Sequence, residues 1–155
     1  IEFHSLSKTF NMTGWRIGFA CGNAELIKGL ARVKSNIDSG VFSAIQRAGI
    51  AALENYDKHI GSIIKIYQER RDIFVDGLNS IGWNVQKPKA TFYVWVKVPP
   101  RYTSVTFADM LLAKADIVAT PGNGFGESGE GYVRMVITVD KNRLREAVDR
   151  IKKRI

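Results

Sequence analysis

The chain has 155 residues, of which 45% are hydrophobic, and it carries a formal net charge of +8. This length allows one sizeable core or parts of two. No apolar run approaches the roughly 20 residues of a membrane helix, so we expect neither a membrane span nor a signal peptide. The single cysteine, Cys21, excludes an internal disulfide, fits a reducing cytoplasm and is predicted to be a small buried side chain in a strand.

The basic excess raises nucleic acid as a partner, but the charge is scattered. Its densest part, residues 141–154, contains acidic residues among the basic ones. Apolar residues recur there at helical spacing, at Leu144, Val148, Ile151 and Ile155. This pattern favours the solvated face of a packed helix, and we expect no nucleic-acid partner.

The first 22 residues predict a strand, a loop and a second strand. The loop brings two hydroxyls (Ser5 and Ser7), one amine (Lys8) and one guanidinium (Arg16) close together in sequence. Hydroxyls donate to phosphate oxygens, and a guanidinium binds two of them as a planar fork. A lysine amine attacks carbonyl carbons. An aldehyde that carries a phosphate, such as pyridoxal phosphate, suits this set of groups.

The same residues, Ser5 to Lys8, also satisfy S-x-x-K, the nucleophile motif of penicillin-binding proteins and β-lactamases. That chemistry needs the serine at the start of a helix, together with S-D-N and K-T-G elements. Neither tripeptide occurs in the chain, and alternation over residues 16–21 favours a strand. The serine-enzyme interpretation is therefore the weaker one.

Helical patterns follow as far as residue 82. Asn23 is predicted to cap a helix that directs Leu26, Ile27, Leu30 and Val33 inward. Residues 35–40 form a turn-rich break, and an alanine-rich helix is predicted from about Ser43 to Asn55. Asp57 is then predicted to cap a long amphipathic helix that Gly82 ends.

The remainder is predicted to be α+β. Its elements are a strand over 83–86, a strand over 91–98, a helix over 104–115, a strand over 117–119, a strand over 132–138 and a final helix capped by Asp140. In the second of these strands, Phe92, Val94, Val96 and Val98 share one face.

A glycine-rich loop, residues 120–131, contains G-x-G-x-x-G. A dinucleotide-binding loop requires a helix directly afterwards, but a strand pattern follows, so that interpretation fails. Arg134 lies within this apolar strand, where an unpaired charge is costly. It must find a carboxylate, either from the protein or from a ligand, and the residues alone leave both possibilities open.

Two motifs carry a family resemblance. Ser5-x-Ser7-Lys8, continued by Gly14 to Gly18 with Arg16 at its centre, resembles the cofactor-lysine motif of the class I/II aminotransferases. These are fold-type-I pyridoxal phosphate enzymes. The segment from Pro121 to Arg134 is similar to the one in which this family places the arginine for the substrate α-carboxylate. Within the family, the residues at positions 11–16 and 36–40 most resemble those of the LL-diaminopimelate and aspartate aminotransferase-like group.

The resemblance implies an aminotransferase that moves an amino group between an amino acid and a 2-oxoacid. Lys8 would hold pyridoxal 5′-phosphate as a Schiff base, and Ser5, Ser7 and Arg16 would bind its phosphate. Arg134, and Asn36 from a turn that could reach a neighbouring subunit, would bind substrate. A cytoplasmic homodimer without a metal ion is expected.

The implied fold class is α/β, in the form of the C-terminal portion of a fold-type-I enzyme. Residues 1–56 would belong to the large cofactor-binding domain, residues 57–82 to a connecting helix and residues 83–155 to a small C-terminal α+β domain. Such a portion would lack the groups around the cofactor ring and be inactive alone. Another fold-type-I synthase or lyase, and a non-catalytic basic nucleic-acid or interaction domain, remain alternatives.

Overall fold

A computed structural model describes all residues of the chain, 1–155. The chain divides into two compact units, residues 1–63 and residues 64–155. The division falls inside the long helix α4 (Tyr56–Ser80). The predicted domain limits at 56/57 and 82/83 stay predictions.

The first unit begins with two antiparallel strands, β1 (Glu2–Ser5) and β2 (Gly18–Cys21). Their register runs from Glu2 opposite Cys21 to Ser5 opposite Gly18. The predicted strand–loop–strand order is confirmed. The connection contains one helical turn, α1 (Leu6–Thr9), and a short 3-10 helix (Thr13–Trp15).

Two helices follow, α2 (Ala24–Lys34) and α3 (Ser43–Glu54). Asn23 caps α2 as predicted, because its side-chain oxygen accepts from two backbone N–H groups of the first turn. The prediction that all four apolar residues of α2 point inward is wrong. Leu26 and Val33 are exposed, whereas Ile27 and Leu30 are half-buried. The helical period identified an apolar stripe, but this unit contains nothing that covers all of it.

Helix α4 begins at Tyr56, so Asp57 lies in its first turn and is not the residue that precedes it. An acidic side chain in this position still interacts favourably with the helix dipole. Gly82 adopts a left-handed φ of +90° just beyond the last turn, as predicted for a helix end. None of the helices has both the length and the apolar character that crossing a bilayer requires.

The second unit is built on a three-stranded antiparallel sheet. Strand β5 (Tyr132–Val136) lies between β3 (Tyr93–Lys97) and β4 (Thr120–Pro121). The C-terminal part of α4 and the helices α5 (Ser104–Ala115) and α6 (Lys141–Arg154) complete it. The core lies here, and includes Val94, Val96 and Val98 from the predicted face. Asp140 caps α6 as predicted.

Two predicted strands do not form. Residues 83–86 are irregular because the side chain of Asn79 takes the place of a strand partner. Its oxygen accepts from the Val85 N–H, and its amide donates to the Val85 carbonyl at 3.0 Å. Residues 117–119 do not pair, and the strand begins only at Thr120, opposite Arg134. The last strand ends at Val136 and not at residue 138.

The glycine-rich loop depends on a close backbone contact between Gly122 and Gly129. A Cβ atom on Gly122 would lie 1.9 Å from the carbonyl oxygen of Gly129, and one on Gly129 would lie 2.0 Å from that of Gly122. Only glycine fits at either position. The contact brings the two ends of the loop together.

We expect Gly122→Ala to lower the free energy of unfolding by about 3 kcal/mol, because the new methyl group would overlap a backbone oxygen that cannot rotate away. Urea unfolding measures this change. Gly124→Ala is the matched control, since a Cβ atom there would meet nothing within 4 Å. Equal losses of unfolding free energy for the two substitutions would contradict the role given to the contact between Gly122 and Gly129.

Candidate functional site

The loop that carries Lys8, which we call the lysine loop, is held in place by Leu6, the residue that follows Ser5. Leu6 is 2% exposed, and its backbone N–H donates to the carbonyl of Ile17 at 3.3 Å. Its own carbonyl accepts from the N–H groups of Phe10 and Met12. Lys8, two residues further on, is exposed in the same helical turn. Burial of one leucine therefore fixes the backbone that presents the amine.

Side-chain hydrogen bonds connect the other predicted residues of this loop. The Ser5 hydroxyl oxygen accepts from the Ser7 N–H at 3.2 Å, and the Ser7 carbonyl accepts from the Thr13 hydroxyl at 3.0 Å. The Thr13 carbonyl in turn accepts from the Arg16 guanidinium at 2.9 Å. Arg16 has a left-handed φ of +51°, which turns the chain into β2. The structure thus places Ser7, Lys8 and Arg16 in the connection between β1 and β2, and Ser5 at the end of β1 directly before it.

One observation bears on the serine-enzyme interpretation. Ser5 does stand at the start of a helix, because it caps α1. That helix has only four residues, and the other two sequence elements that such enzymes need do not occur in the chain. The strand predicted over residues 16–21 is confirmed from Gly18 onward.

Asn36 lies in the exposed turn after α2. Its side-chain amide donates to the carbonyl of Arg32 at 2.7 Å, which satisfies one of the last carbonyls of the helix. In the same turn, a hydrogen bond from Lys34 holds the pKa of the Asp38 carboxyl below its usual value. The role of Asn36 in substrate binding stays a prediction.

Arg134 lies on the central strand β5, on the face opposite to Val133 and Met135, which are buried in the core. The structure shows no protein partner for this guanidinium, and the binding of a ligand carboxylate stays a prediction. No carboxylate of the chain pairs with Arg134, and its Nε is buried without a hydrogen-bond partner. Its guanidinium carbon instead lies 4.3 Å from the ring centre of Tyr93 and 4.2 Å from that of Phe125.

Glu130, which no sequence pattern indicated, connects the glycine-rich loop to helix α5. Its carboxylate accepts from the backbone N–H of Ser104 at 2.8 Å and from the Ser104 hydroxyl at 2.7 Å. These bonds, with one from the Gly131 N–H, hold the pKa of Glu130 below its ordinary value. The available signal was Thr103, a typical cap, which marks the start of α5 directly before Ser104. Glu130 lies 26 residues after Ser104, so no local pattern indicated that the two residues pair.

Cys21 is exposed, so the prediction of a buried cysteine is wrong. It lies on β2 opposite Glu2, whose carboxylate accepts a hydrogen bond from the His4 ring at 2.9 Å. Ligand atoms of these three residues lie within 4.8 Å of one another. The histidine ring also stacks on Phe19, its cross-strand neighbour.

Comparison with known families identifies this arrangement. Residues 1–151 match the family described as aminotransferase class I and II. The chain belongs to this family. The match includes both the lysine loop and the strand that carries Arg134, and the resemblance inferred from the two motifs is confirmed.

Curated relatives of this aminotransferase chain are named LL-diaminopimelate aminotransferase. The protein from Moorella thermoacetica is 57% identical over 153 residues, and that from Syntrophobacter fumaroxidans is 59% identical over 153 residues. In both cases the match covers 99% of this chain and 39% of the relative. The chain therefore spans about two fifths of the length of the relatives it matches.

Solved structures agree with this placement. Substrate-bound BacF from Bacillus subtilis superposes with a TM-score of 0.93 at 42% identity, over 98% of this chain and 39% of that one. Aspartate aminotransferase from Thermus thermophilus with maleate gives 0.88 at 32% identity, over 97% and 40%. The predicted fold class is confirmed, since this α/β chain has the fold of the matching segment of fold-type-I aminotransferases.

The lowered pKa of Glu130 predicts how stability depends on pH. The unfolded carboxyl has a pKa of about 4.3. The stabilisation by Glu130 is therefore fully present above that pH and is lost as the pH falls through the lower folded pKa. We expect Glu130→Gln to be less stable than wild type at pH 7. The difference should shrink below about pH 4.

Unfolding midpoints measured from pH 7 to about pH 3 check this expectation. Glu127→Gln is the matched control, because Glu127 lies exposed in the same loop and its side chain makes no hydrogen bond or ion pair. If the difference in unfolding midpoint between wild type and Glu130→Gln stayed constant across this pH range, the carboxylate would not act through its charge.

Proposed function

We propose that this chain is part of a pyridoxal phosphate-dependent aminotransferase that moves an amino group between an amino acid and a 2-oxoacid. The observation that carries the proposal is the family match over residues 1–151, with a lysine, two serines and an arginine on one hairpin. The relatives support LL-diaminopimelate as the amino donor, since it appears in their names.

The residues of the lysine loop fit the proposed cofactor. Ser5 accepts a backbone hydrogen bond, which leaves its own O–H to donate to a phosphate oxygen. Arg16 uses one nitrogen on the Thr13 carbonyl, and its exposed guanidinium forms no ion pair with the chain. Its remaining N–H groups suit the bidentate contacts that a phosphate makes. Ser7 adds a further hydroxyl.

Lys8 holds the cofactor through its amine. When bound, pyridoxal phosphate stores the electrons that the substrate α-carbon gives up on losing its proton. Once its amine is free, Lys8 accepts that proton from the α-carbon and returns a proton later, as general base and general acid. Its exposure at the end of a one-turn helix suits both tasks.

Arg134 binds the substrate α-carboxylate. The support is the combination of an unpaired guanidinium, a buried Nε without a partner and a rigid central strand. A charge-assisted, bidentate contact with a carboxylate is the interaction that such a group lacks. Fixing the carboxylate also orients the α-carbon bond that is to be broken. Asn36 is proposed as a further substrate contact.

The larger assembly is also part of the proposal. Residues 1–56 form the end of a cofactor domain, residues 57–82 a connecting helix and residues 83–155 a small domain. The first unit exposes large apolar side chains around the turn that contains Asn36, such as Ile37 and Phe42 at 75% and 72% exposure. Such a surface supports a homodimer. The single cysteine supports a cytoplasmic location.

Lys8 is tested by trapping the cofactor. We expect borohydride reduction of the full-length protein with pyridoxal phosphate, followed by peptide mapping, to place the label on Lys8. Lys8→Ala should remove the label and lower kcat by about 100- to 10,000-fold. Lys28→Ala, which removes an exposed lysine from α2, is the control and should keep both the label on Lys8 and the wild-type kcat. A label on another lysine would contradict the assignment.

The short span of the chain gives a second test. We expect the 155-residue chain alone to show no enzyme-level turnover with LL-diaminopimelate, a 2-oxoacid and pyridoxal phosphate, because the groups around the cofactor ring lie in segments that its relatives have in addition. The full-length protein should transfer the amino group. Turnover by the isolated chain would show that the site is complete without those segments.

A further inference from the structure

Arg134 is held by backbone that has little freedom. It lies in the middle of β5, opposite Trp95 on one side and Thr120 on the other. Its sequence neighbours Val133 and Met135 are buried in the core. The Cα position is therefore set by pairing on both sides and by packing beneath. The orientation of a long side chain at this position is still open, because it has several rotatable bonds.

Two aromatic rings limit that orientation. Tyr93 and Phe125, which we call the aromatic clamp, lie 4.3 Å and 4.2 Å from the guanidinium carbon. Both distances are well inside the limit of about 6 Å for a cation–π contact. Such contacts use the π face of the ring and leave the N–H donors of the guanidinium without hydrogen bonds. Among these donors, the Nε is buried and has no hydrogen-bond partner.

The loop that carries Phe125 is anchored on both sides of it. The buried hydroxyl of Ser104 donates to Glu130 and accepts, at 3.4 Å, from the backbone N–H of Asn123. The contact between Gly122 and Gly129 closes the loop at the residues that directly precede Asn123 and Glu130. The ring of Phe125 also meets Trp95 edge to face at 5.4 Å. The position of Phe125 thus depends on Glu130 and Ser104.

We propose that the aromatic clamp sets the affinity of this site for carboxylate substrates, and that the Glu130–Ser104 contact holds Phe125 against the Arg134 guanidinium. The inference rests on the proposed function of Arg134. Tyr93 and Phe125 are positioning residues, because they act through the guanidinium. By holding its plane they reduce the side-chain entropy that binding would otherwise cost, and they leave the N–H fork ready for a planar carboxylate.

The test uses the full-length protein and steady-state kinetics with LL-diaminopimelate. We expect Phe125→Leu, which keeps an apolar side chain but removes the ring, to raise KM by about 10-fold and to change kcat by less than about threefold. Phe125→Tyr keeps the ring and should restore KM to within about twofold of wild type. Glu130→Gln should raise KM by a smaller factor, whereas Glu127→Gln in the same loop should not.

A double-substitution cycle separates positioning from general loosening of the loop. Lysine has a compact charge without a planar fork, so its carboxylate contact does not depend on a fixed plane. In an Arg134→Lys background, Phe125→Leu should therefore change kcat/KM by less than about twofold. An effect of the same size in both backgrounds would show that Phe125 does not act through Arg134 and would overturn the inference.

Calorimetric titration with succinate, a simple dicarboxylate, gives a readout that does not depend on turnover. We expect Phe125→Leu to weaken succinate binding by about the same factor as it raises KM. If wild type binds succinate but transfers no amino group, the proposed function fails, and weaker binding by Phe125→Leu still supports the clamp. If wild type is active and Phe125→Leu matches it in both assays, the clamp is wrong and the function stands. Absence of both binding and turnover in wild type overturns both.

Discussion

The candidate functional groups of this chain depend on one constraint, which is that buried apolar neighbours hold the backbone that presents them. Leu6 fixes the turn from which Lys8 projects, and its backbone groups bond to both sides of the loop. Val133 and Met135 do the same for Arg134, with strands paired on both sides. Catalysis by orientation requires such rigidity, because small displacements of a reacting group are costly.

The surroundings of Arg134 show a balance between stability and function. A buried Nε without a partner costs about 1–3 kcal/mol, which a carboxylate from the protein would have removed. The contacts with Tyr93 and Phe125 offset part of that cost without using the hydrogen-bond donors. The chain thus keeps a cation that is held in place and still lacks its preferred partner. Functional sites commonly contain such unsatisfied groups.

Much of the fold could be predicted because its signals are local. Caps at Asn23 and Asp140, the helix end at Gly82 and the alternation in β3 depend on residues a few positions apart. The failures involve contacts that are distant in sequence or made by side chains. Asn79 replaces a strand partner for Val85, and Leu26 and Val33 lie exposed although their spacing is that of a buried helix face.

The sequence by itself determined the order of most elements, the family and the residue types of the candidate cofactor site, because Ser5, Ser7, Lys8 and Arg16 lie within one short segment. Only the tertiary structure decided what surrounds Arg134. Its aromatic neighbours come from another strand and from a loop, and that loop is closed by Gly122 against Gly129 and by Glu130 on Ser104. These partners are distant along the chain, so no local pattern specifies them, and they meet only when the sheet and α5 have formed.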